Sequence, residues 1–310
     1  MTPFTLLAGS ASERLARSVA AELGVPVGAS TAERFPDGEI AVRLDEAVEG
    51  RDIFVVQSTS PPVNDHLVEL LAYADACRRA AARRIVAVVP YFGYARSDRR
   101  AGRRQPVMAA LAARLLEAAG VRHVVSVDLH APQIEGFFRI PVDDLPAGPA
   151  LAEAVAGRVP RGAVVVAPDT GAAERAAAFG ARFGLPFAVL HKRRRSGTAV
   201  EIAEVFGDVR GRPCVIVDDM ISTGGTIAEA VRALRDAGAR PEAVVVATHG
   251  VLSGPARERL SALALRDLVL TDTIAIDPQA WPAAHVVSIA PLLADAIRRI
   301  AGGAPPGDVP

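Results

Sequence analysis

Short apolar runs alternate along the chain with segments in which apolar residues recur at helical spacing. The runs end at Gly, Pro, Asp or polar residues, a pattern typical of buried strands. The alternation of strand and helix predicts an α/β fold with mainly parallel sheets. The predicted strands are 4–8, 40–44, 53–57, 85–90, 121–127, 163–167 and 187–190, and the first predicted helices are 12–23, with Ser12 as N-cap, and 64–79.

The most informative segment begins with the apolar run 215–217. Two carboxylates, Asp218 and Asp219, follow at the carboxyl end of this predicted strand, and apolar residues at helical spacing in 227–237 predict a helix. Between them lies a turn of small and hydroxyl-bearing residues, Ser222, Thr223, Gly224, Gly225 and Thr226.

The chemistry of this turn suits a phosphate monoester. Glycines let the backbone come close to a ligand, and hydroxyls lie beside the free amides of a helix N-terminus. The acidic pair repels phosphate, but it suits sugar hydroxyls or a hydrated magnesium ion. The segment therefore predicts a site for a phosphorylated sugar. The alternative is a tight connection in which the acids serve as a capping device.

The balanced overall charge does not indicate nucleic acid or a membrane surface as a partner. The 310 residues include 35 basic and 35 acidic side chains without a sustained charge run, so neither nucleic acid nor a membrane surface is expected as a partner. No secretory signal or long apolar span is present in the sequence, and Cys77 and Cys214 lie in unrelated contexts. We expect a reduced, cytoplasmic protein.

Lys192 is the one lysine among the 35 basic side chains. This suggests that a compact ammonium is required there rather than a guanidinium. It belongs to a run of four cations, 192–195, that follows a predicted strand and precedes Gly197. The run predicts a mobile loop able to close over a polyanion, with a basic surface hairpin as the alternative.

Three loops of the first half carry further candidates. The turn 33–39 presents an aromatic residue among acids, the loop 91–104 combines aromatic residues with five arginines, and His130 follows the strand 121–127. The cationic loop suits a nucleotide polyphosphate. The order of strand, polar turn, helix and strand in 53–89 repeats in 215–246, which indicates an internal duplication.

The segment 218–226 resembles the phosphoribosyl-pyrophosphate binding motif of type I phosphoribosyltransferases and ribose-phosphate pyrophosphokinases. Together with the first-half loops, it makes the chain similar to the ribose-phosphate pyrophosphokinase family from about residue 4 to about residue 300. The resemblance implies two tandem type I phosphoribosyltransferase-like domains, each a mainly parallel sheet flanked by helices.

The expected domain bounds follow from that resemblance and from a Pro-rich segment, 141–149, that is predicted to link the halves. The N-terminal domain on the ATP side is 1–145, the C-terminal domain with the ribose 5-phosphate site and catalytic loop is 146–290, a terminal helix is 291–301, and a disordered tail is 302–310.

The resemblance also implies an activity. The β,γ-pyrophosphate of ATP would move to O1 of ribose 5-phosphate, giving phosphoribosyl pyrophosphate and AMP for nucleotide biosynthesis. Asp218 and Asp219 would contact the ribose hydroxyls, the turn 222–226 would bind the 5-phosphate, and Lys192 and Arg194 would be catalytic. The implied pyrophosphate loop is Asp169, Thr170, Gly171 and Ala172.

Further roles are implied for ATP, metal and assembly. The implied cofactor is Mg²⁺, with His130 and Asp169 as protein ligands. The turn that contains Phe35 would complete the adenine pocket of a neighbouring subunit, so a homo-oligomer is expected, a dimer at least, with a hexamer also compatible. The implied ATP-binding residues are Phe35, Asp37, Glu39, Arg96, Ser97 and Asp98.

Several positions depart from the family pattern. Ser97, Ala172, Arg195 and Ser222 stand where glutamine, glycine, proline and aspartate are usual, and Ser97 leaves the preferred nucleotide donor open. Two alternatives remain at this stage. One is a phosphoribosyltransferase, which would share the sugar-phosphate site, and the other is a non-catalytic regulatory homologue.

Overall fold

The computed structural model describes residues 4–100, 102–194 and 200–302, with the backbone alone for 192–194 and 200–203. The strands are β1 (Phe4–Ala8), β2 (Ser30–Arg34), β3 (Ile40–Leu44), β4 (Asp52–Val56), β5 (Arg84–Val89), β6 (His123–Val127), β7 (Val142–Leu145), β8 (Val164–Ala167), β9 (Phe187–Arg194), β10 (Val200–Phe206), β11 (Cys214–Ile221), β12 (Ala243–Gly250), β13 (Asp267–Thr271) and β14 (Ala284–Val287). The α-helices are α1 (Glu13–Leu23), α2 (Val63–Arg79), α3 (Met108–Ala119), α4 (Gly148–Val155), α5 (Ala173–Arg182), α6 (Gly225–Asp236), α7 (Ala256–Ser261) and α8 (Ala290–Ala301).

The described residues divide into two compact units. The N-terminal unit comprises the described residues of 1–146, 273–275 and 288–310, so α8 belongs to it, and the C-terminal unit comprises 147–272 and 276–287. Within the described residues, no helix combines the length and apolar character needed to cross a membrane.

The N-terminal unit contains a parallel sheet of order β1-β4-β5-β6-β7 and a separate antiparallel hairpin, β2–β3. β4 is buried along its whole length. That burial explains its continuous apolar sequence, because strands covered on both faces do not alternate with polar residues.

The C-terminal unit contains a sheet of order β10-β9-β8-β11-β12-β13-β14, which is parallel except that β10 pairs antiparallel with β9. α6 buries Ile227, Val231 and Leu234 in its core, as their helical spacing predicts. Each such side chain contributes about 1.5–3 kcal/mol of burial free energy.

The two units repeat one topology. The order β1-β4-β5-β6-β7 recurs as β8-β11-β12-β13-β14, and the hairpin that follows the first strand is β2–β3 in one unit and β9–β10 in the other. In both, a strand, helix and parallel strand follow one another, as β4-α2-β5 and β11-α6-β12. The predicted α/β fold with mainly parallel sheets is confirmed.

The segment 141–149 contains the boundary between the two units, which falls between Pro146 and Ala147, but it is not the irregular linker that was predicted. Val142–Leu145 forms β7, which pairs in parallel with β6, and α4 begins at Gly148. The strand buries Asp143 and Leu145. The sequence pattern did not predict β7 because the strand is short, contains two acids and is flanked by prolines. Such a strand is tolerated at the edge of a sheet.

The prediction of a loop from His191 onward was wrong for 191–194. β9 continues to Arg194, whose backbone pairs with Val200 of β10, and Lys192 pairs with Ile202. These residues form one arm of a hairpin, the arrangement considered as the alternative. Residues 195–199 lie outside the described part of the chain.

Two smaller predictions are confirmed only in part. Ser12 is the N-cap residue of α1, as predicted, but its side chain makes no capping hydrogen bond to that helix. Its Oγ instead accepts the N–H of Ser58 at 2.8 Å. In the predicted turn 33–39, the first two residues belong to β2, so only the tip of the β2–β3 hairpin is a turn.

Candidate active site

The acidic pair lies within the last half of β11. Asp218 and Asp219 are 8% and 6% exposed, and the strand continues to Ile221, which pairs with Gly250 of β12. Because β11 lies between β8 and β12, both carboxylates occupy the middle of the sheet near its carboxyl-terminal edge. Ligands of α/β sheets bind at that edge.

The turn after β11 leads directly into α6. Gly224 is the N-cap residue, with a φ of +71°, and a Cβ at this position would lie 3.3 Å from Leu260. Glycine satisfies both the backbone conformation and the space. Because Gly224 has no side chain to cap the helix, the first amides of α6 can bind an anion.

The electrostatics of the acidic pair favour a bound cation or hydroxyl donors. Burial raises the pKa of Asp218 well above its usual value, and the charges of Asp219 and Asp169 raise it further. The N–H of Asp219 donates to Oδ1 of Asp218 at 2.9 Å, which offsets part of this effect. A ligand that brings positive charge or hydroxyl donors would stabilise the ionised form.

The predicted pyrophosphate loop follows β8, the strand beside β11. Asp169 begins a short 3₁₀ turn, Thr170–Ala172, and its Oδ1 accepts the N–H groups of Gly171 and Ala172 at 3.0 and 3.3 Å. Because β8 and β11 are parallel neighbours, this loop and the acidic pair lie at the same edge of the sheet. The structure therefore brings together the residues assigned to sugar and pyrophosphate.

Lys192 and Arg194 lie near the end of β9, the next strand after β8 in the sheet. Their backbone positions are set by the pairing with β10. Their side chains, and Arg195, lie outside what the structure describes.

Phe35 lies at the tip of the β2–β3 hairpin in the N-terminal unit. Its side chain is 45% exposed, while its N–H donates to the carbonyl of Glu39 at 2.8 Å. Asp37 accepts the N–H of Glu39 at 3.1 Å. These bonds shape the tip and leave the ring available for stacking.

The loop after β5 carries Arg96, Ser97 and Asp98. Arg96 is exposed, Ser97 Oγ accepts the N–H of Met108 at the start of α3 at 3.3 Å, and Asp98 accepts a bond from Gln133 at 2.5 Å. Asp98 thus joins this loop to the segment after β6. Ser97, a departure from the family pattern, has a structural partner in its own unit.

The turn after β4 is equivalent to the sugar-phosphate turn but is buried. Residues 57–60 are at most 4% exposed. Ser58 Oγ donates to the Thr273 carbonyl at 2.5 Å, and Thr59 Oγ1 accepts the N–H of Gly93 at 2.6 Å. The first copy of the duplication therefore uses its hydroxyls within the fold.

Comparison with known proteins extends over the whole chain. A family model described as the N-terminal domain of ribose phosphate pyrophosphokinase matches residues 4–120, and one described as the phosphoribosyl synthetase-associated domain matches residues 200–305. A ribose-phosphate pyrophosphokinase from Caldanaerobacter subterraneus is 46% identical over 300 residues, covering 96% of this chain and 95% of the relative. The chain belongs to the ribose-phosphate pyrophosphokinase family.

Two further family members support this assignment. A relative of the same name from Clostridium perfringens is 46% identical over 299 residues, covering 95% of this chain and 93% of the relative. The crystal structure of phosphoribosylpyrophosphate synthetase from Mycobacterium smegmatis matches with a TM-score of 0.90 at 44% identity, covering 97% of this chain and 99% of that one. The predicted family and its enzymatic character are confirmed, and a phosphoribosyltransferase is not supported.

The residues of this family member fit a hydrated magnesium ion. Within the described residues, no group of three or more His, Cys, Asp or Glu side chains is placed to hold a metal. Mg²⁺ does not require such a group, because it keeps several waters and binds one or two carboxylates together with substrate phosphates. Asp218, Asp219 and Asp169 supply suitable oxygen donors, and the charges of Asp219 and Asp169 contribute to the raised pKa of Asp218. His130 is exposed after β6, in the other unit.

Sequence reasoning missed the segment that supports the sugar-phosphate turn. The N–H of Ser253 donates to the carbonyl of Ser222 at 2.9 Å, and the two Oγ atoms lie 3.2 Å apart. Arg259, on α7, donates to the carbonyl of Thr223 at 3.2 Å. The turn at 253–255 is visible in the sequence, but its pairing with 222–223 arises from the parallel alignment of β11 and β12.

Proposed function

We propose that this chain transfers the β,γ-pyrophosphate of ATP to O1 of ribose 5-phosphate, producing phosphoribosyl pyrophosphate and AMP. The observation that carries the proposal is the buried acidic pair beside the uncapped amino end of α6. This arrangement suits a sugar hydroxyl face and a phosphate on one molecule. The family membership of the full chain supports the same activity.

Asp218 and Asp219 would accept hydrogen bonds from the ribose hydroxyls. The amides and hydroxyls of Ser222, Thr223, Gly224, Gly225 and Thr226 would bind the 5-phosphate. The sugar is oriented because carboxylates bind its hydroxyls while hydrogen-bond donors bind its phosphate. The anomeric hydroxyl would then be held for in-line attack.

Lys192 and Arg194 would stabilise the transferring group. Negative charge spreads over the phosphoryl oxygens during transfer, so fixed cations lower the barrier. Asp169, Thr170, Gly171 and Ala172 would receive the pyrophosphate. Mg²⁺ would neutralise phosphate charge when bound, with Asp169 and His130 among its protein ligands.

The N-terminal unit would bind ATP through Phe35, Asp37, Glu39, Arg96, Ser97 and Asp98. Phe35 would stack on the adenine of ATP bound at a neighbouring subunit. The protein would then be a homo-oligomer, a dimer at least. We place the protein in the cytoplasm, because both of its cysteines are buried and unpaired.

The first test is formation of AMP from ATP and Mg²⁺, with and without ribose 5-phosphate, in the wild type and in Lys192→Ala. We expect AMP only with the sugar phosphate, and a loss of about 10³-fold in turnover in the variant with nearly unchanged affinity for ribose 5-phosphate. Lys192→Arg is the matched variant, since it keeps the charge and changes its shape.

Two results would contradict the proposal. Near-normal turnover in Lys192→Ala would show that Lys192 is not a catalytic residue. A wild type that forms no AMP, with or without inorganic phosphate and with other nucleotide donors, would make the chain a non-catalytic regulatory homologue.

A further inference from the structure

Arg259 contacts the sugar-phosphate turn from outside the motif. Its Nη1 donates to the carbonyl of Thr223 at 3.2 Å. The same atom would lie 3.4 Å from a Cβ placed on Gly225, the first residue of α6. A guanidinium therefore lies against the amino end of this helix.

The position of Arg259 is set by packing. Leu260, the next residue of α7, is buried and lies beneath Gly224. Ser253, just before α7, donates to the carbonyl of Ser222. The segment is thus attached to the turn on both sides of Arg259, which restricts the movement of its guanidinium relative to the turn.

This arrangement is electrostatically unfavourable without an anion. The amino end of a helix carries partial positive charge, so a cation beside it is repelled and acidic residues are favoured there. The first turn of α6 contains no acidic residue. An anion between the guanidinium and the first amides of α6 would turn the repulsion into attraction on both sides.

We propose that Arg259 is a binding residue for the 5-phosphate of the sugar substrate. The proposal rests on the function proposed above. One donor of the guanidinium holds the Thr223 carbonyl, and its positive charge adds to that of the helix amides. Arg259 acts on substrate binding rather than on the transfer step, because the phosphate is at the opposite end of the sugar from the reacting oxygen.

The test compares Arg259→Gln and Arg259→Lys with Arg257→Gln, which removes a neighbouring exposed cation on α7. For Arg259→Gln we expect the KM for ribose 5-phosphate to rise about three- to tenfold, with turnover nearly unchanged and a weaker dependence of KM on salt. The lysine variant should recover part of the loss, and Arg257→Gln should behave as the wild type.

An unchanged KM in Arg259→Gln would overturn the inference, as would an equal loss in Arg257→Gln or a fall in turnover alone. Calorimetric binding of ribose 5-phosphate to the wild type and Arg259→Gln separates this inference from the proposed function. If the wild type binds the sugar phosphate but forms no AMP, the proposed function fails. The inference still stands or falls on the difference in affinity.

Discussion

Asp218 illustrates how one residue can serve function at a cost to stability. Its carboxyl is buried beside two other carboxyls, and its pKa is raised first by burial and then by the charges of Asp219 and Asp169. Because the folded pKa lies above the unfolded value, its favourable contribution is complete at a pH below the unfolded pKa of about 3.9 and is lost as the pH rises through the folded pKa. At neutral pH the residue destabilises the empty fold.

We therefore expect Asp218→Asn to raise the free energy of unfolding at pH 7 and to weaken binding of ribose 5-phosphate. The gain should shrink as the pH falls and be lost below the unfolded pKa of about 3.9, since the wild-type carboxyl is then protonated in both states. Thermal unfolding across pH, combined with calorimetry, measures both effects. Asp236→Asn, an exposed position at the end of α6, is the control. A variant less stable than the wild type at pH 7 would contradict this view.

At the scale of elements, the buried carboxylate of Asp52 connects β4, β5 and α8 through two partly exposed arginines. Asp52 accepts bonds from Arg83 and Arg84 at 2.8 and 2.6 Å, and Arg84 also donates to the carbonyl of Ile300 at 2.9 Å. Burial raises the pKa of Asp52, but the two guanidinium groups outweigh it and the net pKa is lowered. Its stabilising contribution is therefore present above the unfolded pKa and is lost as the pH falls through the folded one.

Asp52→Asn should lower the free energy of unfolding by about 2 kcal/mol at pH 7. The difference from the wild type should shrink as the pH falls below the unfolded pKa and disappear once the pH is below the lowered folded pKa of Asp52. Denaturant unfolding at several pH values measures it. Asp75→Asn is a close control, because Asp75 also pairs with two arginines but lies at the surface, where such pairs contribute little. If both variants lost the same free energy of unfolding, burial of Asp52 would not be the reason for its stabilising contribution.

At the scale of the whole molecule, the duplicated topology gives each unit a hairpin after its first strand. One tip carries Phe35, and the hairpin of the other unit carries Lys192 and Arg194 in β9. If Phe35 serves a neighbouring subunit, a complete site takes Phe35 from one chain and Lys192 from another. This makes the proposed assembly testable without a structure of the oligomer.

We expect Phe35→Ala to raise the KM for ATP, since the adenine loses an aromatic partner. After mixing and reassembly of Phe35→Ala with Lys192→Ala chains, roughly a quarter of the sites should be intact if subunits exchange at random. Activity at low ATP is the measurement, and the unmixed variants are controls. No recovery in verified mixed oligomers would place Phe35 and Lys192 of one chain in the same site.

The amino-acid sequence by itself determined the existence and order of the strand, acidic pair, turn and helix, since apolar periodicity and glycine conformations are local properties. It did not determine their bounds, because β11 continues through the acidic pair to Ile221 and α6 begins at Gly225. It also indicated the family, because the motif 218–226 and the first-half loops are each contiguous in the sequence. The tertiary structure decided that 191–194 are strand, that 142–145 join a sheet, and that Arg259 reaches Thr223. Those features depend on backbone pairing between distant segments, and pairing partners leave little trace in the local order of residues.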